Sequence, residues 1–258
     1  MPLPLSPADI QYEALIAPRN AIVPCPDTQI IEKPGFWQIM TPSLPHGGMN
    51  EVCCDELPEN ECDEIVAQIV ANYRRLNLQF RWTVGPVVKP ADLGERLLRH
   101  GLIQSDAFVM ACSIDNLTIA PHPRIAVRRV DLSIVDEFTY AMARGWEMPA
   151  EPLDAFHRQI LADSRGIHHL FLATWDGQPA GASAYISLER SAYMMGGVVI
   201  KELRGQGIYT QLVAARAAHA KELGLPIATT VANATTSAPV LRRLGFSEIC
   251  SSRSYSNR

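Results

Sequence analysis

The residues best placed to do chemistry lie between Val198 and Ala220. Val198-Val-Ile200 closes an apolar stretch, and Lys201-Glu-Leu-Arg-Gly-Gln-Gly207 is a polar connection bearing two glycines. An alanine-dense segment follows, with Ala214, Ala215, Ala217, Ala218 and Ala220. Alanine is the strongest helix former. The spacing predicts a helix from near Gly207 to Leu223, stopped by Gly224 with Pro226 beyond it. A strand that feeds a glycine-bearing turn into a helix leaves the first-turn N–H groups without intrahelical partners. Those groups converge on one spot, where the helix dipole adds partial positive charge. Gly205 and Gly207 let the backbone approach a ligand with no Cβ in the way. The chemistry expected here is capture of an anion such as a pyrophosphate. A plain turn before a helix is the simpler reading of the same glycines.

The elements that must position this loop fill the second half of the chain. Ile125–Val130 reads as a strand, and helices are expected over residues 134–144 and from near Pro152 through Phe156, Ile160 and Leu161. His168–Trp175 is a strand, Asp176-Gly177 is a hairpin signal, and Pro179–Leu188 returns antiparallel. Glu189-Arg190 makes the next turn into a strand over Ser191–Ile200. Pro226–Asn233 is a further strand. The first 35 residues are proline-rich without periodicity and read as irregular chain. Strands are expected over Phe36–Thr41, Asn50–Leu57, Gln79–Val84 and Ala107–Ile114. Between them lie a helix capped by Asn60 and running to Leu76, and another from Pro90 to Gly101. Pro121-His-Pro123 is the linker candidate. The order strand–strand–helix–strand–helix–strand over residues 36–114 repeats over 179–250, and Leu97-Leu-Arg-His-Gly-Leu102 matches Leu241-Arg-Arg-Leu-Gly-Phe246. An internal repeat is expected, although Leu-x-x-x-Gly is also a common helix end.

Composition bounds the function. With 258 residues, 47% hydrophobic and 19% charged, the chain can bury a sizeable core. A net charge of −4 gives no footprint for nucleic acid. No run of 18 apolar residues points to a membrane span, and the N-terminus lacks the pattern of a secretory signal. The six cysteines form no CxxC pair, so free thiols in the cytoplasm are expected and no metal site is.

Three phosphate cradles compete for the glycine loop. A GxxxxGK[ST] loop is excluded, because no Lys-Ser or Lys-Thr follows the glycines. A GxGxxG dinucleotide turn needs a third glycine where Thr210 stands, and too little chain follows for a doubly wound sheet. The third fits. Arg204-Gly-Gln-Gly-Ile-Tyr209 resembles the Arg/Gln-x-x-Gly-x-Gly/Ala signature of the GNAT superfamily of N-acyltransferases. Gly196-Gly-Val-Val-Ile-Lys-Glu-Leu203 resembles that family's fourth strand, and Pro226–Asn233 its fifth. Ser237-Ala-Pro-Val-Leu-Arg-Arg-Leu-Gly-Phe246 resembles the helix that follows.

The resemblance implies an α/β (α+β) fold of two GNAT-like halves, each a mixed, largely antiparallel twisted sheet flanked by helices. Residues 1–120 would be a degenerate half with no loop signature, and 124–258 an N-acyltransferase domain. It implies acetyl-CoA as the donor and a primary amine, expected on a small molecule, as the acceptor. The pyrophosphate would sit on Gly205 and the N–H groups of Gln206, Gly207, Ile208, Tyr209 and Thr210, beside Arg204. The pantetheine arm would run along Val198, Val199 and Ile200, with a backbone N–H near Val198 or Val199 on the thioester carbonyl. Asn233 would bond that arm; a strand-end turn is the alternative for it. Two positions depart from the family. Tyr209 stands where a small residue is usual, and Leu241 stands where a tyrosine often protonates the leaving thiolate. With 12 residues after Phe246, the last strand of the usual fold is expected to be missing and the first half to complete the sheet.

Proton chemistry has several candidates. The strand Ser191–Ile200 contains no carboxylate or histidine. Glu147, in the loop between the first two helices of the second half, is the candidate general base, and Ser237 the candidate acid; a solvated loop carboxylate and a helix cap are their plain alternatives. His168, His169, Glu189, Tyr185 and Tyr193 read more simply as strand, turn and core residues. A non-catalytic module that binds acyl-CoA or a small molecule, and an unrelated nucleotide-binding protein, are the rival classes. Monomer and homodimer both stay open.

Overall fold

In the computed structural model, residues 3–46, 48–54 and 56–257 are described. The elements run in chain order α1 (Pro7–Leu15), β1 (Gln29–Lys33), β2 (Phe36–Met40), β3 (Glu51–Cys54), α2 (Cys62–Arg75), β4 (Arg81–Val84), α3 (Leu93–Arg99) and β5 (Ile103–Ser113). They continue β6 (Ile125–Arg129), α4 (Val135–Trp146), α5 (Glu151–Ala162), β7 (His168–Trp175), β8 (Gln178–Ser187), β9 (Ala192–Val199), α6 (Ile208–Glu222), β10 (Ile227–Asn233), α7 (Ser237–Arg243) and β11 (Ser247–Ser256). Two compact units result. One holds Met1–Val23, Val109–Ala232 and Thr236–Ile249; the other holds Pro24–Phe108, Asn233–Thr235 and Cys250–Arg258.

The first unit is built on strands in the order β5-β10-β9-β8-β7-β6. β6, β7, β8 and β9 pair antiparallel, and β9 pairs with β10 in parallel through the α6 crossover. Asp176 and Gly177 both adopt positive φ, 48° and 82°, the geometry of a two-residue hairpin turn. Side chains alternate across β8. Ala182 and Ala184 face α4, where they pack with Val135, Phe138, Ala141 and Met142. Gly181 and Tyr185 face α6: a Cβ on Gly181 would lie 3.0 Å from Ile208 Cγ2, and the Tyr185 hydroxyl bonds His219. α4 and α6 therefore cover opposite faces of the sheet.

The N-terminal segment departs from the expectation of irregular chain. α1 starts at Pro7, with the Ser6 hydroxyl accepting from the Asp9 N–H. Its Glu13 is 2% exposed. Arg190 Nε donates to Glu13 at 3.0 Å and the Ser191 hydroxyl donates to it at 2.6 Å. A buried carboxylate is tolerable only with such partners. The irregular reading failed because a single nine-residue helix shows too little periodicity among prolines. β1 was missed as well, since every residue of it is exposed. The α2 cap differs by one residue: Glu61, not Asn60, is the N-cap, and no side chain caps it.

The second unit orders its strands β1-β2-β3-β4-β11. β1, β2 and β3 are antiparallel, and β3 is parallel to β4 through the α2 crossover. Val66, Val70 and Tyr73 of α2 and Leu93 and Leu97 of α3 pack with Trp82 and Val84 of β4. Tyr73 stacks on Phe80 with centroids 4.1 Å apart and donates its hydroxyl to the Ile39 carbonyl at 2.6 Å.

The orders β2–β3–α2–β4–α3–β5 and β8–β9–α6–β10–α7–β11 are the same, each with an antiparallel and then a parallel pairing. Their last strands are exchanged. β11, the last strand that was expected to be missing, is present and pairs antiparallel with β4, matching Arg253 to Val84 and Ser256 to Arg81. β5, from the first half, neighbours β10, where the Ile114 N–H at its end donates to the Pro226 carbonyl at 3.1 Å. Tyr255 of β11 is fully buried in the core around Trp82. A chain truncated after Ile249 should therefore lose protection of the Trp82 and Val84 amides, which face β11, whereas the Arg81 N–H donates to the Asn50 carbonyl on the other side. Hydrogen exchange should show the Trp82 and Val84 amides exchanging at solvent-like rates, while β7 and β8 keep most of their protection.

Candidate functional site

The site is built on an irregularity in β9. Ala184 pairs with Met195, but Ala182 pairs with Val198, so β9 holds one residue more than β8 across this interval. This is a β-bulge, and Gly196 occupies it with φ +61°. Beyond the bulge β9 and β10 part. Their register is confined to Ala192↔Ala228 and Tyr193↔Thr229, and the Thr230 hydroxyl donates to the Met194 carbonyl just past it. The last residues of β9 thus have a paired edge toward β8 and an open edge on the other side. The Ile200 N–H donates to the Ala180 carbonyl at 2.9 Å. Backbone groups alternate along a strand, so the Val199 N–H points to the open edge and that of Val198 does not. Val198 itself faces α4, close enough that a Cβ on Gly145 would lie 2.4 Å from it.

The Arg204–Thr210 loop follows. Gly205 and Gly207 have φ +80° and +85°, and a Cβ at either would meet nothing within 4 Å. Gly207 is the N-cap of α6, and no side chain caps that end. The first α6 N–H to find an intrahelical partner is that of Gln211, on the Gly207 carbonyl. The N–H groups of Ile208, Tyr209 and Thr210 are those a helix start leaves over. Gln206 is exposed and Thr210 half-buried, while the Ile208 side chain is buried against β8. Arg204 points its side chain back to the protein. Its Nε donates to the Val199 carbonyl and its Nη2 to the Gly145 carbonyl, both at 3.2 Å. It joins the end of α4 to the end of β9.

Tyr209, the departure from a small residue, turns toward the bulge. A Cβ on Gly197 would come within 2.8 Å of its Cε2. The absence of a Cβ at Gly197 is what seats the ring. The Tyr209 hydroxyl lies beside the guanidinium of Arg216, which is 2% exposed. Arg216 was not legible as a site residue, because an arginine in an alanine-rich helix reads as a solvated charge. The glycine pair Gly196-Gly197 was the available signal for the bulge.

A cavity of about 710 Å³ lies near the loop, walled by one face of α4 along its length, the start of α5 and residues 201–202. Asp136, Glu147, Glu151, Asp154 and Glu202 line it, against Arg144 and Lys201 as its basic residues. Glu147 is exposed at the left-handed C-cap of α4 and lies 3.5 Å from Lys201 Nζ. Ser237 is the first residue of α7, whose N-cap is Thr236, so the cap role considered for Ser237 falls to its neighbour. Leu241 is buried, 2% exposed, and serves the core.

Asn233 is fully engaged in a turn. Its Oδ1 accepts from the Thr235 N–H and hydroxyl at 3.0 and 2.9 Å, and its Nδ2 donates to Ser105 at 2.9 Å. The other polar candidates are also held. A guanidinium only donates, so Arg129 makes His219 Nε2 an acceptor at 3.1 Å. The neutral His219 then carries its proton on Nδ1 and donates to Tyr185 at 2.6 Å. His169 Nε2 shares a 2.6 Å bond with Ser187. Burial, followed by the nearby His219, pushes the His169 pKa down to about 4, and burial pushes Tyr185 up to about 12. His157, bonded to Thr139 at 2.8 Å, is also pushed down to about 4 by burial.

Residues 134–257 match the model of the acetyltransferase (GNAT) domain. This segment, just under half of the chain, is thereby placed in the GNAT superfamily. A comparison with curated proteins gives no match. Among solved structures, a functionally unknown conserved protein from Staphylococcus epidermidis aligns with a TM-score of 0.68 at 13% identity, covering 94% of this chain and 97% of that one. A GCN5-related N-acetyltransferase from Kribbella flavida aligns at 0.65 and 13% identity, over 98% and 95% of the two chains. A tandem GNAT protein from the clavulanic acid biosynthesis pathway aligns at 0.56 and 14%, over 99% and 89%. At these identities the likeness is one of fold. In the GNAT domain a strand, the glycine loop and the helix α6 occur in the order read from the sequence, and the bulge in that strand was not part of the reading. Among the described residues no helix is long and apolar enough to cross a membrane, and no group of His, Cys, Asp and Glu is placed to hold a metal ion.

Two outcomes follow from this geometry. Gly197 lacks a positive φ, so the Tyr209 ring is the obstacle to a side chain there. Gly197→Ala should destabilise the protein by about 1–3 kcal/mol. The loss should shrink in a Tyr209→Ala background, as a double-mutant cycle of urea unfolding will show. The second outcome concerns pH. Folded His157 and His169 titrate near 4, whereas unfolded histidine titrates near 6.5. The unfolded chain takes up protons first, so stability is fully present above about pH 6.5 and falls as pH drops toward 4. His157→Gln should flatten the dependence of the urea midpoint on pH in that window.

Proposed function

We propose that the GNAT domain is an acyl-CoA-dependent N-acetyltransferase that acetylates a primary amine of a small-molecule acceptor. The observation that carries this reading is the continuity of the bulged, open-edged end of β9 with the uncapped start of α6. The residues fit the donor. Gly205 and Gly207 stand in left-handed backbone with open space where a Cβ would be. The leftover N–H groups of Ile208, Tyr209 and Thr210, with those of Gln206 and Gly207, offer the donor set a pyrophosphate needs. The open edge of Val198–Ile200 supplies strand-like pairing to an extended amide-bearing arm. When bound, acetyl-CoA supplies an activated thioester. The Val199 N–H is placed to stabilise negative charge developing on the thioester oxygen. Arg204 helps fix that N–H by bonding the carbonyl of the same residue.

The acidic cavity supports a cationic amine as acceptor. Of its five carboxylates, Asp136 and Asp154 share Arg158 while Glu147 and Glu202 face Lys201 and Arg144, and the negative charge left over attracts an ammonium group. Glu147 is the candidate to take the proton that the amine must shed, after leaving Lys201. Ser237, at the first turn of α7, is the candidate donor to the leaving thiolate. The first half, residues 1–120, reads as a degenerate copy without a loop signature.

A second reading is favoured by one observation: Leu241 is a core residue where the family often carries an acid. It makes the domain an acyl-CoA-binding module without turnover. Thioester consumption against a panel of amines, with calorimetry of acetyl-CoA, NAD and ATP, separates the readings. The enzyme reading expects turnover with a cationic amine, lowered about 10²-fold or more in Glu147→Gln. Binding without turnover supports the module, and preference for NAD overturns both.

A further inference from the structure

We propose that Arg216 is a positioning residue for acyl transfer, holding from beneath the β9 bulge the backbone that receives the thioester. The inference rests on the reading of that backbone as the thioester site. Arg216 lies eight residues past the start of α6, with its side chain inserted against the sheet and 2% exposed. Its Nε donates to the Leu212 carbonyl at 3.1 Å, on its own helix. Its Nη1 donates to the Ala184 carbonyl at 3.1 Å and reaches the Met195 carbonyl at 3.5 Å. Ala184 and Met195 are the register pair immediately before the extra residue of β9.

That coincidence has a physical reason. A bulge breaks the ladder and leaves carbonyls short of strand partners, and a buried carbonyl without a donor is destabilising. A guanidinium carries five N–H donors in a fixed planar fork. One arginine can therefore serve both strands at the break and its own helix at once. Among the described residues, no carboxylate forms an ion pair with Arg216. Burying an unpaired cation costs several kcal/mol, and methionine or leucine would pack the same space without that cost. The charge persists where the backbone must stay unpaired on its other edge.

Tyr209 extends the linkage. Its ring rests on Gly197 and its hydroxyl stands beside the guanidinium. The first turn of α6, which carries the anion-binding N–H groups, is thereby tied to the bulge. Arg216 and Tyr209 set the spacing between the phosphate end and the thioester end of one extended donor. A displacement of about 1 Å at such a site lowers a rate by up to about 10²-fold.

Arg216→Met, Arg216→Lys and Tyr209→Phe test this against wild type in three measurements: hydrogen exchange of the 195–199 segment, calorimetry with CoA, and steady-state turnover of acetyl-CoA with an amine. Arg216→Met should lower kcat about 10- to 100-fold, with KM for acetyl-CoA changed by less than about threefold. Arg216→Lys should recover part of the loss, and Tyr209→Phe should show a smaller fall in the same direction. Exchange across 195–199 should quicken about tenfold or more while β7 keeps its protection. Unchanged kcat and exchange overturn the proposal. So does a uniform loss of protection across β7, β8 and β9 with KM rising as kcat falls, which marks a structural role alone. If Arg216→Met does not fold, the lysine and phenylalanine variants decide by the same criteria. Wild type without turnover on any amine overturns the enzyme reading. Selective loosening of 195–199 with weakened CoA binding would then establish the hold on the bulge, and unchanged exchange would refute it.

Discussion

One residue too many in β9 governs the GNAT domain. The bulge at Gly196-Gly197 shifts the register with β8 by one residue, and beyond Thr229 the register with β10 ends. A sheet interior normally has no free backbone groups to offer. Here the end of a central strand keeps an open edge, and the chain then turns directly into a helix start with unpaired N–H groups. Everything around the bulge is fitted to keep that edge open. Gly197 leaves room for the Tyr209 ring, Gly181 and Gly145 let helices approach β8 and β9 from opposite faces, and Arg204 and Arg216 bond the carbonyls left over.

The sequence carried the fold further than it carried the site. The period of two in β6 to β9, the Asp176-Gly177 turn and the alanine run of α6 are local signals, and local signals survive in one sequence. The segments missed were those decided by partners far away in the chain. α1 is held by a buried Glu13 bonded to Arg190 and Ser191, about 180 residues on, and no neighbour in sequence announces it. β1 is an exposed edge with no apolar alternation to read. In the site, the glycines were legible because backbone geometry demands them. Arg216 and the seat of Tyr209 were not, since charge and ring size say nothing of burial. Asn233, for which a donor contact and a strand-end turn both stood open, bonds Thr235 and Ser105 in such a turn.

Charge is divided with some economy. A helix start offers roughly half a positive charge without any basic side chain, and the loop uses little else. Arg204, within the loop, and Arg216, on the helix that follows, both give donors to backbone carbonyls. The carboxylates gather instead around the α4–α5 cavity. The anionic and cationic parts of a reaction mixture would thus meet opposite fields within one domain, and salt would weaken both to different degrees, since the cavity is open to solvent and Arg216 is not.

The exchanged last strands give the chain a direction in time. β4 is made long before its antiparallel partner, residues 253–256, which lies beyond all the other elements of the second half. The first half therefore leaves the ribosome with an unfilled sheet edge beside Trp82, and it waits for almost the whole of the second half to be made. A lone unfilled edge is a template for pairing with other chains. The mixed fate of that edge, closed by its own β11 or captured by a stranger, depends on how quickly β11 arrives.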